Sequence, residues 1–279
     1  MCTGGWKLSL NNNSMKKTLL IISSLFAASA FAQAQAPDPN FHLYLLIGQS
    51  NMAGRGAVDA ESAAPHARVE MLAKDLEWKP ATDPLHFDKP AAGVGPGLAF
   101  GKQMAEASPK VRIGLIPCAV GGTSIDVWKP GAEDKATKTH PYDDMLKRVQ
   151  AAQKVGVLKG IIWHQGESNR GDALYGQKLT DLIALLRQEL KSPVLPFVAG
   201  EISDFKPASA NGSTGTDRVK KFNDIVQGLS KAVKNYSCVS TEGLNHRGDA
   251  LHYDTDSARI LGKRYAEKMI ALQKQSGGL

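Results

Sequence analysis

Residues 41–56 of this 279-residue chain read FHLYLLIGQSNMAGRG. Phe41 to Gly48 is an almost unbroken apolar run. It is too short for a core helix and lacks the alternation of a half-exposed strand. It therefore predicts a strand buried on both faces, as in a parallel sheet. At Gly48 the pattern breaks into polar and glycine-rich residues, and Ser50 stands at the changeover between Gln49 and Asn51. Position alone leaves two readings open. Ser50 is either a turn or cap serine, or a hydroxyl delivered to the carboxyl end of a strand, where open α/β sheets build their sites.

Outward from this strand, four more apolar runs stand out: VRIGLIPCAV (111–120), LKGIIWHQG (158–166), VLPFVAGEI (194–202) and NYSCVST (235–241). Between them, helical periodicity marks 96–108, 142–155, 174–191, 216–234 and 255–275, with Asp254 or Thr255 as N-cap of the last. Strands alternating with helices predict an α/β fold, a three-layer sandwich around a five-stranded parallel sheet. Residues 57–95 have no clear period and carry Pro65, Pro80, Pro84, Pro90, Gly93 and Gly95. They read as a binding loop or lid, or equally as a solvated excursion.

From Met15 the chain reads MKKTLLIISSLFAASAFAQAQAP. Two lysines, a short apolar run and small residues in A-x-A spacing predict a secretory signal cleaved after Ala32, Ala34 or Ala36. The apolar run is too short to cross a bilayer, and the residues before Met15 read as an upstream start. This divides the chain into 1–36, extension plus signal, and one domain over 37–279, which no proline- or serine-rich linker interrupts. Removing 1–36 takes away three lysines and no acid, so the formal net charge falls from +7 to +4. With no clustered Lys/Arg block, nucleic acid is not an expected partner. The remaining Cys118 and Cys238 read as free thiols of the core, on separate strands. The expected place of work is outside the cytoplasm, periplasmic or secreted, without stable membrane insertion.

The strand ends are followed by Gly48-Gln49-Ser50-Asn51, GGTSIDVW (121–128) and WHQGESN (163–169), and RGDALHYDTD (247–256) precedes the last helix. A serine esterase needs a nucleophile, a base, an orienting acid and oxyanion donors. Ser50 is not in a G-x-S-x-G elbow, so the ordinary α/β-hydrolase pattern is absent. Of seven histidines, His252 has a carboxylate at a telling distance, Asp249 in D-x-x-H. No metal or cofactor is expected. There is no H-E-x-x-H and no C-x-x-C, DTDSAR lacks a calcium loop's glycine, and GVGPGLAFGK lacks G-K-[ST].

In order along the chain, GQSNMAGRG, GPGLAFGKQMAE, GGTSIDVW, WHQGESN and DALHYDTDSARILGKRYA resemble the SGNH (GDSL-like) hydrolase superfamily. Within it they are similar to the sialate O-acetylesterase / acetylxylan esterase group, carbohydrate esterase family six. The resemblance implies a flavodoxin-like sandwich and a Ser-His-Asp acyl-enzyme mechanism. Ser50 would be the nucleophile, His252 the base and Asp249 its orienting acid. The oxyanion would meet the N–H groups of Ser50 and Gly122 and the side-chain amide of Gln165. Gln49 and Asn51 would fix the turn, and Glu167 would support it through buried hydrogen bonds. Trp128 is the tryptophan best placed to line the cleft, while Trp163 reads as core. The implied activity is release of acetate from an acetylated carbohydrate, with the acetylxylan type as the first reading. The alternatives are a sialate O-acetylesterase, a short-chain lipase or thioesterase, and a non-catalytic sugar-binding relative. His164 and Asn169 match different subgroups, which leaves the sugar open.

Overall fold

The computed structural model describes residues 1–6, 8, 36–205 and 216–277. The secretory signal expected at 15–36 lies outside these but for Ala36. The chain divides after Ala34. The described residues of the first unit are exposed, and the second unit carries every element below.

In chain order these are β1 (Asp38–Gly48), α1 (Ser50–Ala53), α2 (Ala60–Ala63), β2 (Val69–Leu72), β3 (Trp78–Pro80), α3 (Pro96–Ala107) and β4 (Arg112–Pro117). There follow α4 (Pro141–Ala152), β5 (Gly156–His164), α5 (Tyr175–Glu189), β6 (Phe197–Gly200), α6 (Thr216–Gly228), β7 (Tyr236–Val239) and α7 (Thr255–Gln275). The sheet runs β3-β2-β4-β1-β5-β6-β7. All neighbours are parallel except β2 and β3.

The five apolar runs all became strands, but the expected five-stranded sheet has seven. The two extra strands come from the insertion at 57–95. β2 is four residues long and β3 three, too short to carry a readable period. Pro80 suits β3 because an edge strand tolerates a missing ladder donor. The insertion thus widens the sheet beyond β4 and is more than a solvated loop.

β1 shows why its sequence is apolar without a break. Phe41, Leu43, Leu45 and Ile47 face one core, with residues such as Met145 of α4, Leu182 of α5 and Phe222 of α6. Tyr44 and Leu46 face the other, with Phe100 of α3 and Leu261 and Tyr265 of α7. A strand with helices on both sides has no solvated face to keep polar. The helices start at readable signals. Pro96 and Pro141 open α3 and α4, where a missing N–H costs nothing. Asp254 caps α7 by accepting from the Ser257 N–H at 2.8 Å.

Cys118 and Cys238 are free. One lies just past β4 and the other in β7, with β1, β5 and β6 between them. Burial pushes both thiols up to about 12. Among the described residues, no helix is long and apolar enough to cross a membrane.

β1 ends at Gly48, paired with His164 of β5. Its φ is +132°, a conformation that side chains rarely adopt. A Cβ there would also collide with the His164 carbonyl. The chain can therefore leave β1 tightly against β5 and present the next residues above the sheet. Gly48→Ala is expected to cost at least about 2 kcal/mol, from overpacking and backbone strain together. Urea unfolding measures it.

Candidate active site

Ser50 is the first residue of α1, one step past the end of β1. The first N–H groups of a helical turn have no acceptor within it. The turn closes through Gln49, whose carbonyl accepts from Met52 and Ala53. The Ser50 N–H is therefore left out of the turn's own ladder.

Two hundred residues on, the segment before α7 folds back over this turn. Ser50 Oγ lies 3.0 Å from His252 Nε2. His252 Nδ1 lies 2.7 Å from Asp249 Oδ2. Asp249 Oδ1 accepts from the backbone N–H of His252 at 2.8 Å and of Leu251 at 3.0 Å. The D-x-x-H spacing thus closes a tight turn in which one carboxylate holds both the backbone and the ring of the histidine. Burial is the largest single influence on the Asp249 carboxyl and pushes it up. The hydrogen bonds from His252 and Leu251 outweigh this and hold it down at about 2. Arg247 adds a 3.6 Å ion pair to Asp249 Oδ2, and its guanidinium donates to Arg55 O at 2.7 Å. Alcohol, imidazole and carboxylate in series are what make a serine hydroxyl nucleophilic.

Beneath this line lies a buried carboxylate. The Glu167 side chain is only 6% exposed. It accepts from the amide of Gln49, and from Asn51 Nδ2 at 2.5 Å. His164 Nε2 is 3.6 Å away. Burial alone would raise this carboxyl, but His164 and Asn51 win and lower it to about 2. Asn51 then reaches the histidine's strip. Its Nδ2 donates to Leu251 O at 3.2 Å, and its Oδ1 accepts the Tyr253 N–H at 3.3 Å. The residues on either side of His252 are therefore gripped by the residue after Ser50. Gln49 and Asn51 do more than shape a turn: they join it to Glu167, and Asn51 joins it to the histidine.

A cleft of about 320 Å³ opens over Ser50, lined also by His252, Gly122, Lys89, Ser168 and Leu251. Gly122 has φ +89°, where a side chain would be strained, and the Lys89 side chain passes beside it. On the floor, Arg55 pairs with Asp88 at 2.8 Å, both side chains being buried. Asp88 Oδ2 also accepts the Gly121 N–H at 2.9 Å.

Two expected residues are not in the cleft. Gln165 is fully buried. Its Nε2 donates to Thr123 O at 3.2 Å and Asn169 Oδ1 at 2.7 Å, and its Oε1 accepts the Tyr175 hydroxyl at 2.8 Å. Both amide hydrogens are spent, so in this arrangement it braces the 121–125 turn instead of facing an oxyanion. Trp128 is 2% exposed and packs edge-on against Trp163 at 5.3 Å. The apolar character that recommended it for stacking on sugar took it into the core. Arg55, Asp88, Lys89 and Ser168 were not singled out in the sequence. Arg55 sits in the opening stretch itself. Lys89 comes from the insertion, where no spacing marks it.

Residues 40–271 match the family described as carbohydrate esterase, sialic acid-specific acetylesterase. The chain is 34% identical over 264 residues to a probable carbohydrate esterase of Arabidopsis thaliana, At4g34215, covering 86% of this chain and 94% of that one. The X-ray structure of the Arabidopsis protein superposes with a TM-score of 0.70 at 34% identity, covering 84% and 99% of the two chains. NanS superposes with a TM-score of 0.67 at 17% identity (85% and 99%). A carbohydrate acetylesterase from Xanthomonas citri does so with 0.65 at 24% (84% and 57%). At these lower identities the likeness is one of fold.

The brace beneath Ser50 is testable through Glu167→Gln. An amide keeps one acceptor and sets a donor against the Gln49 or Asn51 amide. The expected loss is about 1–3 kcal/mol in urea unfolding. In acetate release from a short ester, kcat should fall more than KM changes, because the brace positions Ser50 and His252.

Proposed function

That this chain belongs to the carbohydrate esterase, sialic acid-specific acetylesterase family is the premise from which we propose its chemistry. As a member it is an ester hydrolase, and the family's substrates are acetylated carbohydrates. Our reading of its mechanism is a Ser-His-Asp acyl-enzyme cycle. The observation that carries it is the unbroken series from Ser50 Oγ through His252 to Asp249, at 3.0 and 2.7 Å.

In this reading His252 Nε2 takes the proton as Ser50 Oγ attacks the acetyl carbonyl. Asp249 holds the Nδ1–H and stabilises the imidazolium, and its low-held carboxyl stays ionised throughout. The oxyanion is met by the N–H groups of Ser50 and Gly122, two donors rather than three. The sugar oxygen takes the proton back from His252 and leaves. Water then attacks the acetyl-enzyme with His252 again as base. The cleft favours a short acyl group: it is small, and Leu251 is the one large apolar side chain among its lining residues. That argues against a long-chain lipase.

For the sugar, an acetylated xylan-type saccharide is the first reading and an O-acetylated sialic acid the second. The family description supports the second. The two positions that match different subgroups do not decide between them. His164 and Asn169 are both buried and neither lines the cleft. Selection falls to the rim, where Lys89, Ser168 and Leu251 stand. Export through the signal at 15–36 completes the proposal and suits a polymeric or extracellular glycan.

Ser50→Ala is expected to cut acetate release from a chromogenic acetate ester by at least about 1000-fold, with an unchanged circular dichroism spectrum. Retained turnover in the folded variant would remove Ser50 from its role. Acetate release compared between acetylated xylan and O-acetylated sialosides separates the two sugars. Rates on nitrophenyl esters should drop steeply beyond short acyl chains.

A further inference from the structure

Along residues 118–123 every backbone N–H but one has an acceptor. Cys118 donates to Leu46 O at 2.9 Å and Val120 to Gly48 O at 3.0 Å, continuing the pairing of β4 with β1. Between them, Ala119 donates to His86 Nδ1 at 3.2 Å, and one step on Gly121 donates to Asp88 Oδ2 at 2.9 Å. Alternate N–H groups thus go to β1 and to two side chains of the insertion, which stand where a neighbouring strand would offer carbonyls. Thr123 turns back to Val120 O at 3.4 Å. Gly122 is the exception: its N–H has no acceptor among the described residues.

Asp88 is itself fixed. Its Oδ2 accepts from Arg55 Nη2 at 2.8 Å, and the two side chains are 1% and 6% exposed. Arg55 Nη1 donates to Gly54 O at 2.7 Å. The end of the insertion docks on the same stretch: Gly93 donates to Gly54 O at 3.1 Å, and Gly56 and Val94 exchange N–H···O bonds at 3.0 and 2.9 Å. Asp88 is therefore tied to the segment that carries Ser50. Gly121 shows how closely the ion pair approaches. A Cβ there would run into Arg55 Nη2 and Asp88 Oδ2 and would stand 3.4 Å from Ser50 Cβ. A bare carboxylate so near a developing oxyanion would oppose it, and the paired guanidinium offsets that charge.

We propose that Asp88 is a positioning residue for the oxyanion site: by holding Gly121 it aims the next N–H, that of Gly122, at the acetyl oxygen, with Arg55 as its anchor and counter-charge. Asp88 does not line the cleft and acts through Gly121. The assignment rests on the acyl-enzyme reading of Ser50 and extends that machinery to the insertion. A donor misplaced by about 1 Å costs roughly 100-fold in rate.

The test is Asp88→Ala. Its kcat/KM on nitrophenyl acetate should fall about 10- to 100-fold. The inhibition constant of a small trifluoromethyl ketone, whose adduct with Ser50 places an oxyanion before the same N–H groups, should rise by the same factor. Asp88→Asn keeps an acceptor for Gly121 and should recover most of both losses. A purely structural brace would lower stability and leave both constants of the folded protein unchanged. If Asp88→Ala does not fold, Gly121→Ala takes its place. Its methyl displaces only the ends of the Arg55 and Asp88 side chains, and the same paired loss is expected. Unchanged constants in the folded variant, or an Asp88→Asn no better than Asp88→Ala, overturn the proposal while the Ser50 reading stands. A wild-type enzyme that the ketone does not inhibit, together with turnover retained in Ser50→Ala, removes both.

Discussion

The arrangement of this molecule depends on one buried negative charge. A carboxylate in the interior is tolerated only when its lone pairs are met by fixed donors. Glu167 meets that condition by drawing on separate parts of the chain. Gln49 and Asn51, from the turn after β1, supply the donors, and His164 at the end of β5 stands 3.6 Å away. Asn51 passes the constraint on to Leu251 and Tyr253, around His252. Segments that are remote in sequence are thereby held in one register, with Ser50 and His252 in hydrogen-bonding contact. A shift in any of them would leave an unmatched charge or amide in the interior.

The parallel sheet supplies the platform for this network. β1 and β5 are adjacent and run the same way, so their carboxyl ends bring Gln49-Ser50-Asn51 and His164–Glu167 together. β4, on the other side of β1, delivers Gly121 and Gly122 to the same edge. The histidine strip belongs to no strand. It is carried on the lead-in to α7, which packs on the far face of the sheet beside α3, and it is secured by the Asp254 cap and the grip of Asn51. The insertion at 57–95 contributes more than cover, since Asp88 holds both Gly121 and Arg55 from outside the core sheet.

Much of this was legible in the sequence. β1, β4, β5 and the five long helices stood out because each presents many residues to a single kind of environment, apolar on both faces or apolar at helical spacing, while β6 and β7, four residues each, were marked by the longer apolar runs that contain them. Ser50, Asp249 and His252 were marked by position and by a local spacing that a single tight turn satisfies. Three things were not legible. β2 and β3 are too short to show a period, and their pairing with β4 is a long-range contact. Gln165 was expected as an oxyanion donor from the family resemblance of its strip, but an amide beside a strand end can face either way. Its direction was settled by Thr123, Asn169 and Tyr175, none of which its own motif announces. Trp128 looked like a sugar platform, but the space beside Trp163 took it inward.

By itself the sequence determined the kind of sheet, the order of the strands and helices along the chain, and which serine, histidine and aspartate stand at its ends. These follow from patterns within a few residues, where apolar period, caps and turn chemistry act. Only the tertiary structure decided which buried side chain faces the cleft and which faces the core, and how far the sheet extends. Those outcomes depend on hydrogen-bond partners and packing neighbours that lie tens to hundreds of residues away, and no local pattern encodes which of them arrives first.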